Sequence, residues 1–240
     1  SFKIYCQNED DFFLLSQVQS FDNKLKLLPG SGVDTSRFHP SLKVTKNYIK
    51  QKFRFIYAGR FLADKGLREL ITAIKNINIH ETQCELCLIG FQDSENISAI
   101  SPLEIESWSE IPGLFIEDAT ENIETILAMS DCLVLPSYRE GMPRSILEAC
   151  SMEIPIICTD VPGCKNIVTH MENGLLCLPK NVQSLENAMR QMLKFSSKDR
   201  DLMGSIGRQR VLERFDEQEV ILEANLAIAE AALLREGKKS

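Results

Sequence analysis

No stretch of the 240 residues stays apolar for the roughly 18 positions that a membrane-spanning helix needs, so any membrane contact of this chain is peripheral. Positive charge is the scarcer sign. Against 34 Asp and Glu stand 27 Lys and Arg, a net charge of −7, and this balance with no basic cluster excludes general nucleic-acid binding. Histidine is nearly absent: His39, His80 and His170 are scattered, and Cys84-Glu85-Leu86-Cys87 has no second CxxC pair, which argues against a structural zinc site. No Gly-x-Gly-x-x-Gly follows a predicted strand. Gly30-Ser31-Gly32 lacks the third glycine and runs into Val33-Asp34 rather than a helix, which argues against a dinucleotide-dependent oxidoreductase. Internal repeats and low-complexity segments are also missing.

What is present is a globular composition, 44% apolar and 25% charged, enough for a substantial core. Of the eight cysteines, Cys87, Cys132, Cys158 and Cys177 sit inside apolar runs and read as small buried thiols. Free thiols in such number, with no secretory pattern in the opening residues, favour the cytoplasm. The densest basic stretch, with Lys43, Lys46, Lys50, Lys52 and Arg54, reads as a solvated linker or as a modest positive face toward an anionic ligand or lipid surface.

Apolar runs alternate with helical periodicity. Strands are predicted over Phe53–Ala58, Glu85–Ile89, Leu114–Glu117, Cys132–Leu135, Pro155–Thr159 and Gly174–Leu178, and helices over Gly66–Lys75, Glu121–Met129, Pro143–Met152 and Gly163–His170. The alternation predicts an α/β fold, a Rossmann-like parallel sheet covered by helices on both faces. Beyond Pro179, Val182–Phe195, Lys198–Phe215 and Glu217–Arg235 carry helical spacing without strands. At the front, Phe2-Lys3-Ile4-Tyr5 reads as a short strand and Gln7–Asp11 as a turn. The local features at Gly59–Lys65, Gly90–Asp93, Glu117–Thr120 and Ser137–Glu148 all follow predicted strands, and ligands of such sheets bind at strand carboxyl ends, so the four can share one cleft.

Two clusters carry chemistry. In Glu140-Gly141-Met142-Pro143-Arg144-Ser145-Ile146-Leu147-Glu148, a strand-to-helix junction puts one carboxylate in the loop and another on the helix. Helix-start amides between them suit phosphate or sugar oxygens, and carboxylates accept hydrogen bonds from vicinal sugar hydroxyls. The competing interpretation pairs Glu148 with Arg144 at i,i+4 and leaves Glu140 a solvated loop charge. In Gly59-Arg60-Phe61-Leu62-Ala63-Asp64-Lys65-Gly66, Arg60 and Lys65 leave a strand end and precede a helix, where a diphosphate can be cradled; alternatively they are surface charges, with Asp64 neutralising Lys65.

A resemblance joins these pieces. Pro29-Gly30-Ser31-Gly32-Val33-Asp34 with Phe38 and Pro40, Gly59-Arg60 with Lys65-Gly66, Pro136-Ser137 with Glu140-Gly141-Met142-Pro143 and Leu147-Glu148-Ala149, Pro155-Ile156-Ile157 with Thr159-Asp160-Val161-Pro162-Gly163, and Asn173-Gly174-Leu175-Leu176 occur in order. Together they resemble the carboxyl-terminal donor-binding domain of a retaining glycosyltransferase of the glycogen synthase and sucrose synthase type, group 1, with the B fold. The resemblance implies transfer of a hexose from a nucleotide sugar, a UDP-sugar favoured, with retention and without a metal or other cofactor. Arg60, Lys65 and Glu140 would be the catalytic groups, the cations on the donor diphosphate and Glu140 on the hexose. Glu148 would hold the ribose. Gly59, Gly141, Met142, Pro143, Arg144 and Leu147 would contact the donor, and Ile116 and Glu117 the base.

It further implies that residues 1–28 are a remnant of an amino-terminal acceptor domain, 29–180 the nucleotide-sugar domain, and 181–240 helices of which the last crosses back. On that expectation the partners are the donor and, through the other domain, a glycan or lipid-linked acceptor of bacterial surface polysaccharide or glycolipid assembly, and the chain alone is inactive. The alternative is a noncatalytic nucleotide-binding or assembly module on the same scaffold.

Overall fold

The apolar runs fold into the sheet, and the order of its strands decides where a ligand can sit. The computed structural model describes residues 3–21, 23–28, 30–43, 52–80 and 84–236; Phe2, Pro29, Lys46 and Lys50, named above, lie outside the described residues. The chain opens with β1 (Ile4–Cys6), α1 (Glu9–Ser16) and β2 (Leu25–Leu27), and β1 pairs with β2 in parallel. Then come β3 (Phe53–Ala58), α2 (Leu67–Ile77), β4 (Cys84–Gly90), α3 (Pro102–Ser109), β5 (Leu114–Asp118) and α4 (Ile123–Leu127). A second run holds β6 (Cys132–Leu135), α5 (Arg144–Ser151), β7 (Ile156–Thr159), α6 (Cys164–Ile167) and β8 (Gly174–Cys177). Three helices follow, α7 (Val182–Lys194), α8 (Ser197–Arg214) and α9 (Glu217–Glu236).

Six strands form one parallel sheet in the order β5-β4-β3-β6-β7-β8. The chain winds outward from β3 to β5, returns to lay β6 beside β3, and winds outward again to β8. Right-handed crossovers therefore put α2 and α5 on opposite faces and open a crevice at the carboxyl ends of β3 and β6. All four residues of β6 and of β7 are buried, as expected for strands covered on both sides. Helix α2 buries Leu67, Leu70, Ile71, Ala73, Ile74 and Ile77, one stripe at helical spacing. It packs on α7, where Asn76 Nδ2 and Arg190 Nε reach the buried Glu186 carboxylate at 2.9 and 2.8 Å, and these bonds hold its pKa below the ordinary carboxylate range. All eight cysteines are free and buried, the four in apolar runs included.

The opening segment differs from expectation. Gln7–Asp11 is no turn: Asn8 caps α1, its Oδ1 accepting from Asp11 N at 2.8 Å, and the acidic first turn complements the helix dipole. The same acidic residues tether α1 to the main body through Glu9–Arg214 at 3.5 Å, Asp10–Lys165 at 2.8 Å and Asp11–Arg139 at 3.2 Å. Helix α3, unforeseen, begins with Ser101 as cap and Pro102 at its first position. Helix α6 ends at Ile167, short of the expected His170, because the Asn173 side chain takes the Ile167 carbonyl and the Thr169 amide. Lys43 and Arg54, described members of the basic stretch, are both engaged, with Glu153 O at 2.8 Å and with Glu85 at 2.9 Å.

The glycine motif also acquires a place. Val33 N bonds Phe215 O at 2.9 Å and Glu217 N bonds Val33 O at 3.1 Å, so this segment closes the elbow between α8 and α9. Gly32, at φ +70, leaves room for Glu217, whose Cα would stand 2.6 Å from any Cβ there.

Candidate functional site

The crevice at the strand switch is a cavity of about 590 Å³. The ends of β3, β4 and β6, the loop after β5 and the start of α5 all line it. Of the residues singled out by sequence, Gly59, Arg60, Lys65, Glu140, Met142, Pro143, Arg144 and Glu148 share its wall. Two loops form the switch-point rim, and Tyr138 N, bonded to Asp64 O at 2.8 Å, ties one to the other. Tyr57 is fully buried and its hydroxyl donates to Arg60 O at 2.7 Å; burial raises its pKa, so it remains a donor that fixes the Arg60 backbone.

Charge is paired within the cavity. Lys65 Nζ meets Glu140 Oε1 at 2.7 Å, with only 17% and 12% of the two side chains exposed, so the partner of Lys65 is Glu140 and not Asp64. Arg60 Nη1 meets Asp93 Oδ2 at 3.0 Å. Arg144 Nε stands 3.7 Å from Glu148 Oε1, so the i,i+4 pair and the cavity position hold together. Burial raises the Glu148 pKa, and Arg144 and then Arg37 oppose the rise. Arg37 itself is held by Glu124, at 3.1 Å from Nε and 2.8 Å from Nη2, and by the Glu121 carbonyl.

The Glu140-Gly141 turn is clamped from two sides. Asn8 Nδ2 donates to Gly141 O at 3.1 Å. On the other side Gly163, at φ +82, approaches so closely that a Cβ would lie 2.5 Å from Gly141 O and 2.7 Å from Glu140 O. Thr159 and Ser137 add a hydroxyl-to-carbonyl bond between the ends of β7 and β6.

Four expected site residues do not line the cavity. Ile116 and Glu117 remain inside β5, which runs on to Asp118, and Glu117 lies beside Cys87 Sγ at 3.8 Å; the chain reaches the cavity two residues later, with Ala119 and Thr120. Leu147 is fully buried, since Arg144, Ser145 and Glu148 occupy the outer side of α5 and Leu147 turns with Ile146 and Cys150 into the core. Gly141 is held in the turn between Asn8 and Gly163. Sequence reasoning missed Tyr57, Asp93 and Phe91 as individual residues, although the Gly90–Asp93 segment was marked by its position after a strand. Among the described residues no group of three or more His, Cys, Asp or Glu could hold a metal ion, and no helix is long and apolar enough to cross a membrane.

The raised Glu148 pKa makes a stability prediction. A carboxyl that binds its proton more tightly when folded loses native stability as pH rises from the ordinary carboxylate value through the raised one. Glu148→Gln removes that loss, so calorimetry should find the variant's Tm a few degrees above the parent's at pH 7 and converging with it at pH 4. The same offset at both pH values would rule out Glu148 as the titrating group.

Comparison with known proteins adds to this geometry. Residues 41–210 match the family model described as glycosyl transferases group 1. The chain is 24% identical over 205 residues to the capsular polysaccharide biosynthesis glycosyltransferase CapM of Staphylococcus aureus, covering 82% of this chain and 53% of that protein. It is 27% identical over 195 residues to N,N'-diacetylbacillosaminyl-diphospho-undecaprenol alpha-1,3-N-acetylgalactosaminyltransferase of Campylobacter jejuni, covering 78% and 50%. The chain thus spans about half the length of the curated relatives it matches. Among solved structures, sucrose-phosphate synthase of Thermosynechococcus elongatus superposes with a TM-score of 0.83 at 22% identity over 96% of this chain and 58% of that one. HepE of Anabaena in complex with UDP-glucose superposes with a TM-score of 0.80 at 18% identity over 95% and 64%. At these identities the two structures speak for the fold.

Proposed function

The chain belongs to the group 1 glycosyl transferases, and from that premise we propose that its switch-point cavity binds a nucleotide sugar, a UDP-sugar foremost, and activates it for hexose transfer with retention at the anomeric carbon. One observation carries the proposal: the Lys65–Glu140 ion pair, at 2.7 Å, joins the two chemistry-bearing clusters of the sequence inside one cavity. Arg60, Lys65 and the first-turn amides of α5 take the diphosphate. Glu148 accepts from the ribose hydroxyls. Arriving phosphate draws Lys65 away from Glu140, and the freed carboxylate accepts hydroxyls of the hexose.

Breaking the bond between sugar and phosphate builds negative charge on the diphosphate and positive charge on the sugar ring. Once the donor is bound, cations already on the diphosphate in a partly enclosed site stabilise that separation with no further movement as the bond breaks. The departing phosphate takes the acceptor proton on the same face, so no side chain is assigned as general base. The acceptor is a glycan or a lipid-linked glycan, in line with the printed names of the relatives from Staphylococcus and Campylobacter. Since those relatives are about twice as long, the acceptor is expected to be held by sequence outside this chain, and the chain alone to bind donor without transferring it.

The test is chemical-shift perturbation with UDP, GDP, ADP and their sugar conjugates. Glu148→Ala should weaken nucleoside diphosphates about tenfold, the scale of a lost charge-assisted hydrogen bond. Glu140→Ala should spare UDP and weaken only the sugar conjugate. Equal losses for UDP and UDP-sugar in both variants would overturn this division of roles, and nucleotide binding without transfer in the full-length protein would favour the noncatalytic module.

A further inference from the structure

We propose that Phe91 is the platform on which the nucleobase stacks, the residue that lets this cavity tell a nucleoside diphosphate from a bare diphosphate; the inference rests on the reading of the cavity as a nucleotide-sugar site. Phe91 follows the last residue of β4 and lines the cavity with 51% of its surface exposed. Its neighbours Phe61 and Ile89 are buried, at 4% and 2%. An exposed ring on a loose loop would mean little, but this backbone is fixed. Phe61 N donates to Phe91 O at 2.9 Å, Gly59 N donates to Ile89 O at 2.9 Å, and the next side chain, Gln92, bonds Ile100 O at 2.8 Å. At Gly90 the backbones of the β3 and β4 ends approach so closely that a Cβ would overlap Gly59 O. The ring is therefore presented, unburied, from a rigid strand end.

The cavity is polarised along its length. Lys65, Glu140 and Arg144 supply charge on the walls contributed by the β3–α2 turn and the β6–α5 loop. The walls contributed by β4, the loop after β5 and the start of α4 are Ile89, Gly90, Phe91, Ala119, Thr120 and Ile123, without a charged side chain. A nucleotide sugar has one planar group with apolar faces, the base, and a polyhydroxylated group, the hexose; the uncharged walls suit the first and the charged walls the second. Glu148 stands where the order of the ligand requires. Glu148 shares the cavity wall with Ile123, the first residue of α4, whose next residue Glu124 is gripped by Arg37 at 2.8 Å. Base, ribose, diphosphate and hexose then map onto Phe91, Glu148, Arg60 with Lys65, and Glu140. This replaces Ile116 and Glu117, which stay within β5, as the residues that meet the base.

The experiment titrates the whole chain, as wild type, Phe91→Leu and Phe91→Trp, with UDP, GDP, ADP and inorganic pyrophosphate, following ligand and protein by NMR. Phe91→Leu keeps an apolar side chain and removes the ring. It should weaken every nucleoside diphosphate roughly tenfold, leave pyrophosphate affinity unchanged, and abolish the upfield ring-current displacement of the base protons. Phe91→Trp should retain both. Unchanged nucleotide affinity with base protons still displaced in Phe91→Leu would overturn the inference, and so would an equal loss for pyrophosphate, the mark of a merely structural role. Glu148→Ala with undiminished UDP affinity would instead overturn the ribose assignment while the Phe91 comparison stood. A wild-type chain that binds no nucleoside diphosphate better than pyrophosphate would overturn both.

Discussion

Lys65→Ala is expected to lower sugar transfer by the full-length protein by about two to three orders of magnitude, the range seen when one preorganised stabiliser of developing charge is removed. Affinity for the intact UDP-sugar should fall much less, about tenfold, because Arg60 and the start of α5 still meet the ground-state phosphates. The asymmetry follows from where the charge changes. A bound diphosphate carries its charge before and after binding, but the leaving oxygen gains charge only as the bond to the sugar breaks. The variant has a second consequence, since Lys65 is the 2.7 Å partner of a Glu140 side chain that is only 12% exposed. Alone, Lys65→Ala strands that carboxylate; the double variant Lys65→Ala/Glu140→Ala does not. Double-mutant analysis of Tm and of nucleoside diphosphate release separates the two effects: stability should recover in the double variant while transfer stays low. Recovery of transfer in the double variant would mean that Lys65 serves only to neutralise Glu140, and its role on the diphosphate would be wrong.

Lys65 also shows what the sequence could and could not disclose. The strands were legible because a parallel strand covered on both faces must be a continuous apolar run, and Phe53–Ala58 and Cys132–Leu135 end at the residues expected. That both carry site residues just past their carboxyl ends follows from the fold class. The pairing of Lys65 with Glu140, 75 positions apart, does not: it depends on β6 returning to lie beside β3, and a local reading offers Asp64 instead. Leu147 illustrates the opposite error. Its place within a recognised motif suggests a donor contact, yet the helical turn that brings Arg144 and Glu148 to the cavity sends Leu147 into the core. Ile116 and Glu117 lie within β5, as the predicted strand Leu114–Glu117 already implied, and the chain reaches the cavity only at Ala119. Asn8 was legible in principle, as a capping residue followed by Asp11 at the third helical position, but no apolar stripe marked the helix it starts.

Gly66→Ala should destabilise the fold by about 3–5 kcal/mol, among the largest effects available to a single methyl group. Two terms add. Gly66 has φ +70, a left-handed conformation that an L side chain adopts at about 1–2 kcal/mol. The added Cβ would also overlap Pro136 O, a backbone atom that cannot swing aside as a side chain would. That carbonyl ends the β6 run at the switch point, and Tyr138, two residues on, is bonded back to Asp64, so the turn before α2 and the loop after β6 cannot separate without breaking the contact that shapes the cavity. For a domain of this size the loss corresponds to about 10 °C in Tm. Gly207→Ala is the comparison that isolates the cause: it lies within α8, its Cβ would stand 3.3 Å from Cys150 Sγ, and the helix gains from alanine what the tight contact costs, leaving Tm nearly unchanged. Below its transition Gly66→Ala should also bind UDP more weakly than Gly207→Ala, because Lys65 immediately precedes the displaced residue. A Gly66→Ala chain with parental Tm and parental UDP affinity would show that the two loops at the switch point move independently, and that the Gly66–Pro136 contact does not hold Lys65 beside Glu140.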